Sequence, residues 1–182
     1  GIYAFAILDK KKRQMILGRD PSGIKPLYYF GNSDSFAFGS EMKAFVPMLK
    51  GMLSFNEDLI GVYLSLGYFP EPYTVYKEIK AVAPGSLLTL DMNSFGMANQ
   101  NFFAIDFEAQ NSNSQTKNQE LTEQYLKQAI ARNLVADVGL KISLSGGIDS
   151  SLIFAMANKI ATVEGLTVKM EEAIYDESEV AS

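Results

Sequence analysis

The sequence predicts an α/β protein in two parts, short antiparallel strands first and the start of a doubly wound parallel sheet second. Three observations carry that expectation. Apolar runs separated by tight turns fill residues 1–110. A polar, low-complexity stretch, residues 111–119, reads as a linker. From Lys141 a strand, a glycine turn, a helix and another strand follow one another through residues 120–182, the order of a parallel sheet whose ligands sit beyond the strands' carboxyl ends. A chain of 182 residues, 47% hydrophobic and 12% aromatic, can build a core for one domain or two.

Taken in order, residues 1–8 read as a buried strand, Asp9 to Arg13 as a charged turn, and Gln14 to Gly18 as the returning strand of a hairpin. Asp20-Pro21-Ser22-Gly23 has the proline and glycine placement of a type I turn. Strands are expected at Leu27 to Phe30 and Phe36 to Gly39, around a turn at residues 32–35. Ser40 is placed to cap a helix carrying Met42, Phe45, Val46 and Leu49, with Glu41 in its first turn. Residues 56–67 read as a second helix with Leu59, Val62, Tyr63 and Leu66 on one face. Gly67 to Pro72 breaks it, residues 73–82 carry no clear pattern, and Ala83-Pro84-Gly85-Ser86 turns into a strand at Leu87 to Leu90. Beyond the linker, Thr116 and Gln119 fit a capping box for a helix to about Ala136, with Leu126, Ile130 and Leu134 as its stripe.

The chemistry concentrates in Lys141-Ile142-Ser143-Leu144-Ser145-Gly146-Gly147-Ile148-Asp149-Ser150-Ser151. Lys141 to Leu144 reads as a short buried strand and Ser145 to Ser151 as a turn. From Leu152 a helix runs to about Ala161, with Ile153, Met156, Ala157 and Ile160 on one face. A strand at Leu166 to Met170 follows. Such a turn aims free N–H groups and the positive end of a helix dipole at an anion, and Gly146 and Gly147 let backbone approach a phosphate. Asp149 beside a polyphosphate is repulsive unless a cation lies between; Mg²⁺, with its preference for oxygen ligands, turns the repulsion into a bridge. No lysine follows the glycines, so the nucleoside-triphosphate P-loop signature is absent. The competing reading is a plain strand-to-helix turn capped by Asp149 or Ser150.

Composition excludes much else. The sequence has no cysteine and no histidine, which removes disulfides, thiol nucleophiles, imidazole catalysis and His or Cys metal sites. A net charge of −5 provides no basic footprint for nucleic acid. No apolar run reaches the ~18 residues of a membrane span, and the apolar start lacks the basic flank of a signal peptide. A cytoplasmic protein is expected.

Ser145-Gly146-Gly147-Ile148-Asp149-Ser150 resembles the SGGxDS pyrophosphate loop of ATP pyrophosphatases. Tyr3-Ala4-Phe5-Ala6, the stretch from Arg19 to Tyr29 and Ser40-Glu41-Met42-Lys43-Ala44-Phe45 resemble, in order and spacing, the later half of the glutaminase domain of glutamine-hydrolysing asparagine synthetases. Ala83-Pro84-Gly85-Ser86 and Tyr175-Asp176-Glu177-Ser178 are similar to that family as well. The resemblance implies the end of an N-terminal-nucleophile α/β/β/α sandwich in residues 1–110, then the start of an ATP-pyrophosphatase synthetase domain in residues 120–182. It implies an ATP-dependent ligase that converts aspartate to asparagine through β-aspartyl-AMP, with ammonia from glutamine. By the same resemblance Ser145, Gly146, Gly147, Asp149 and Ser150 hold the pyrophosphate end of ATP, Asp149 binds Mg²⁺, and Leu144 and Val168 contact the adenosine. The implied partners are small-molecule substrates, with no nucleic acid and no membrane; a homodimer stays open.

The departures matter. The family's glutaminase nucleophile is a cysteine, which this sequence lacks, and Lys169 stands where the family usually has glycine. The expectation is a segment of a larger enzyme, inactive alone. Two other readings are a β-lactam synthetase-like adenylating enzyme without glutaminase activity and a non-catalytic nucleotide-binding scaffold. Arg19, Asp20 and Lys25 read equally as a ligand-free turn set, Glu41 and Lys43 as a surface pair, and Asp176 with Glu179 as a helix start.

Overall fold

A computed structural model describes residues 1–108 and 111–169. The chain is mixed α/β and divides into two compact units, Gly1–Glu108 and Ala109–Ser182.

The first unit holds two antiparallel sheets. Strands β1 (Ala4–Asp9), β2 (Gln14–Arg19), β6 (Ser86–Asp91) and β7 (Met97–Asn101) pair in the order β1-β2-β6-β7. Strands β3 (Tyr28–Gly31), β4 (Phe36–Gly39) and β5 (Ile79–Ala81) pair in the order β4-β3-β5. The turns form where local chemistry demands them. The Asp9 carboxylate accepts N–H bonds from Lys11 and Lys12, and the Asn32 side chain accepts them from Asp34 and Ser35. Asp91 does the same for Asn93 and Ser94 between β6 and β7. Leu17, Leu27, Val82 and Leu88 form one buried cluster; Phe30, Phe45, Leu49 and Ile79 form another.

Several expectations shift. β1 is an edge strand, and Phe5, Ile7 and Leu8 are exposed rather than buried. Opposite Phe5 in the register stands Gly18, and the Phe5 ring occupies the space a Cβ there would need. The helix expected after Ser40 is two 3₁₀ turns, Met42–Ala44 and Val46–Leu49, without a side-chain cap. Pro47 is the reason, since it has no N–H to donate and its ring crowds the preceding turn. Phe45 and Leu49 are buried as the periodicity requires. In the second expected helix a 3₁₀ turn, Glu57–Leu59, leads into α1 (Ile60–Leu66), which ends on Gly67 in the left-handed region at φ 78°. None of the residues of α1 is buried.

The turn after β2 is tied by charge. Asp20 is 1% exposed and its carboxylate accepts N–H bonds from Ser22 and Ile24 at 3.1 Å and from Lys25 at 2.9 Å. Its carbonyl accepts from Gly23 and Gly85, and its own N–H donates to Tyr3 O. Arg19, 5% exposed, donates Nε to Lys25 O, Nη1 to Val82 O and Nη2 to Gly23 O, and pairs with Glu71 at 2.9 Å. Apart from Glu71 these partners are the protein's own backbone, so the set is the architecture of the turn. Burial pushes the Asp20 carboxyl up, but the N–H groups of Lys25, Ile24 and Ser22 outweigh it and hold it below the ordinary value of 3.8. Glu41 and Lys43 form an exposed surface pair at 2.6 Å.

The second unit places α2 (Gln115–Asn133) and α3 (Ile148–Asn158) with the parallel pair β8 (Lys141–Ser143) and β9 (Glu164–Leu166). Ser114, not Thr116, caps α2: its side chain accepts the Lys117 N–H at 3.2 Å. Residues 115–119 of the expected linker are therefore helical, and the helix stops at Asn133. Of the predicted stripe, Ile130 is buried and Leu126 and Leu134 are half-buried. β8 is shorter and more exposed than expected, with only Ile142 half-buried. β9 lies two residues earlier than the apolar run suggests. Its register opposes Lys141 to Glu164, and these two pair at 2.9 Å.

Ser114→Ala should lower stability by about 1 kcal/mol, the usual worth of an N-cap, while Thr116→Ala changes little; urea unfolding followed by helical circular dichroism checks both. Asp20 makes a pH prediction too. Because its folded value is depressed, its stabilisation is complete above the ordinary value of 3.8 and is lost as pH falls through the lower folded value. The urea midpoint of Asp20→Asn should start lower at neutral pH and fall less steeply below pH ~4 than that of the unsubstituted protein.

Candidate functional site

The site is the junction of β8 and α3. β8 ends at Ser143, and the chain stays tied to β9 for one more residue through Leu144 N–H to Leu166 O at 2.8 Å. Gly146 then takes φ 73°, the left-handed region that a Cβ disfavours, and reverses the chain. Gly147, extended at φ −75° and ψ 157°, is the N-cap of α3. The helix thus begins at Ile148, four residues before the apolar periodicity announces it. That periodicity marks only the packed part of a helix, and the first turn faces outward, Ile148 being 86% exposed. The packed positions are Ala157, Phe154 and Met156; Ile153 and Ile160 are exposed, contrary to expectation.

Ser151 N–H returns to Gly147 O at 3.1 Å. The N–H groups of Ile148, Asp149 and Ser150, the open end of the helix, have no acceptor among the described residues. Neither Asp149 nor Ser150 caps the helix. Ser150 instead cross-links the loop. Its Oγ donates to Gly147 O at 3.1 Å and so accepts from Ser145 Oγ at 3.2 Å and from Ser145 N–H at 3.3 Å. Asp149 is exposed in the first turn, where the helix dipole favours its charge, and forms no ion pair among the described residues.

Six of the seven predicted site residues, Leu144, Ser145, Gly146, Gly147, Asp149 and Ser150, therefore lie in one continuous loop and helix start. Val168 stands apart, 66% exposed and beyond the end of β9 at Leu166; Lys169 is exposed beside it. Tyr175 to Glu179 lie outside the described residues. Two cavities of this unit, each about 610 Å³, are lined by α2 with Leu152 and Met156, one of them also by Lys159 and Ile160, and neither includes the loop. Open amides and hydroxyls, rather than a closed cavity, define the site.

Comparison with known proteins bears on what the junction serves. A family described as glutamine amidotransferase domain matches residues 1–103, and one described as asparagine synthase matches residues 121–182. The chain belongs to the glutamine-hydrolysing asparagine synthetase family. It is 28% identical to a putative asparagine synthetase [glutamine-hydrolyzing] 2 of Methanocaldococcus jannaschii over 91% of this chain and 32% of that protein. Asparagine synthetase [glutamine-hydrolyzing] 1 of Bacillus subtilis is 29% identical over 100% of this chain and 28% of its own length. Among solved structures, a glutamine phosphoribosylpyrophosphate amidotransferase from B. subtilis aligns at a TM-score of 0.35 and 19% identity, covering 93% of this chain and 33% of that one. The chain spans about a quarter to a third of the length of these curated synthetases.

In this synthetase-family chain the loop fits a polyphosphate: three open amides at a helix start, the Ser145 hydroxyl and no side chain at Gly146 or Gly147 to obstruct approach. For a divalent cation it offers one carboxylate. No group of three metal-ligating side chains occurs among the described residues. A single acid beside phosphate oxygens and water is nevertheless the ordinary way Mg²⁺ is held. Sequence reasoning missed the Ser145–Ser150 cross-link, because both hydroxyls were read as facing the ligand. Removing it should loosen the loop: Ser150→Ala is expected to speed amide hydrogen exchange at Ser145 by about tenfold, a loss of some 1.4 kcal/mol of protection, whereas Ser151→Ala leaves that amide unchanged.

Proposed function

We propose that this chain serves in an ATP-dependent, glutamine-using asparagine synthetase, with residues 120–182 contributing the pyrophosphate loop of its ATP-pyrophosphatase part. The open start of α3 behind Gly147 is the observation that carries the reading. Residues 1–110 form, on this reading, the end of a glutaminase domain of the N-terminal-nucleophile sandwich type, and residues 111–119 the link between the two parts. The sequence holds no cysteine, so these 182 residues supply no thiol nucleophile for glutamine hydrolysis.

Activation of the aspartate side-chain carboxylate by ATP displaces pyrophosphate from the α-phosphate and leaves β-aspartyl-AMP. Ammonia then attacks the acyl carbon, and AMP departs with the electron pair of the broken bond. The departing pyrophosphate gathers negative charge, and donors already in place stabilise that charge without reorganising. Here the N–H groups of Ile148, Asp149 and Ser150 would point at the β and γ phosphates, and the Ser145 hydroxyl would turn from Ser150 to a phosphate oxygen. Asp149 would hold Mg²⁺, which neutralises phosphate charge when bound. Leu144 and Val168 would border the adenosine. The substrates are small molecules of the cytoplasm; among the described residues no helix is long and apolar enough to cross a membrane.

Pyrophosphate release from ATP, aspartate and glutamine by the full-length protein tests the reading, with ammonia replacing glutamine as control. Asp149→Asn should weaken magnesium-dependent ATP binding by at least tenfold, since a charge-assisted contact is worth about 1.5–3 kcal/mol. Magnesium-independent binding that ignores the substitution would favour a scaffold instead.

A further inference from the structure

We propose that Gly165 is a positioning residue: the missing side chain there seats Leu144 beside the phosphate loop as an apolar wall for the nucleoside part of a nucleotide. The inference rests on the polyphosphate reading of the loop given above. A glycine in the interior of a strand weakens it and often marks a place where another group approaches closely. β9 consists of Glu164, Gly165 and Leu166, so its central residue is that glycine. The register pairs Gly165 with Ile142, and Leu144, two residues along from Ile142, shares the same face. A Cβ at position 165 would lie 2.6 Å from Leu144 Cδ1, closer than real Cβ atoms come, and 3.6 Å from its Cγ. Phe154 Cε2, on α3, already stands 3.5 Å from that point.

The Leu144 backbone cannot yield easily, because its N–H is bound to Leu166 O at 2.8 Å. Any side chain at 165 therefore displaces the Leu144 side chain. That side chain precedes Ser145 directly, at the carboxyl end of β8. A phosphate chain held by the amides of residues 148–150 leaves its nucleoside to extend over the carboxyl ends of the strands. Leu144 is a half-buried apolar residue at that end of β8. Its contact would discriminate a nucleotide from bare polyphosphate, which needs only the loop.

Gly165→Ala and Gly165→Val in the full-length protein, assayed for binding of MgATP and of magnesium tripolyphosphate, test this. Gly165→Val should weaken ATP about five- to tenfold, the loss of one or two apolar groups in contact, Gly165→Ala less, and tripolyphosphate should change by less than about twofold. In a Leu144→Ala background Gly165→Val should have no further effect on ATP, because nothing remains to displace. The alanine variant, with the smaller intrusion, carries the test if the valine variant fails to fold, and thermal midpoints show which have folded. Unchanged ATP affinity in the folded variants overturns the proposal, as does an equal loss for tripolyphosphate. Should the unsubstituted protein bind tripolyphosphate as tightly as ATP, the loop reading stands and the Leu144 wall falls; should it bind neither, both fall.

Discussion

The first unit depends on two neighbouring charges that do not neutralise each other. Arg19 and Asp20 are both buried, and a buried charge without partners is among the most costly features a fold can carry. Asp20 is satisfied by backbone, and Arg19 by backbone together with the Glu71 carboxylate. Asp20 gathers the N–H groups of the turn that follows it, while Arg19 reaches carbonyls at Gly23, Lys25 and Val82. Between them they fasten Tyr3, the turn at residues 20–25, the approach to β6 and, through Glu71, the segment after α1. The similarity of this stretch to the synthetases is thus explained by architecture. No ligand is needed to account for it.

What could be read from the sequence was what local chemistry fixes. Asp9, Asn32 and the Asp20-Pro21-Ser22-Gly23 turn fold as their side chains and φ preferences require, and with them the hairpin β1–β2 and strands β3, β4 and β6. Residues whose conformation is set by distant partners were harder. β5 is only Ile79-Lys80-Ala81, too short to show an alternation, and its strand character comes from pairing with β3. β7 carries Asn99 and Asn101, a residue type depleted in strands, and is ordered by β6. Pro47 was visible in the sequence, yet the apolar spacing around it favoured a continuous helix over the two 3₁₀ turns that form.

The candidate site was legible for a different reason. Its elements are adjacent in the chain, so sequence order and spatial order coincide over Leu144 to Ser150. Where the site needs a second strand, that advantage ends. Val168 was matched by resemblance alone, and it lies beyond β9 rather than in it. The role of Gly165 depends on a cross-strand register that no local pattern encodes. The internal bonds of Ser150 were hidden too, because a hydroxyl in a glycine-rich turn is equally suited to a ligand and to its own backbone.

Asp149 rides on the first turn of α3 rather than on a flexible loop. Its direction is consequently set by counting along a helix, and each residue advances that direction by about 100°. The Ile148 side chain, between the Gly147 cap and Asp149, can change without moving the carboxylate. A one-residue insertion there would swing it to the flank of the helix, so the length of this segment is constrained more tightly than its composition.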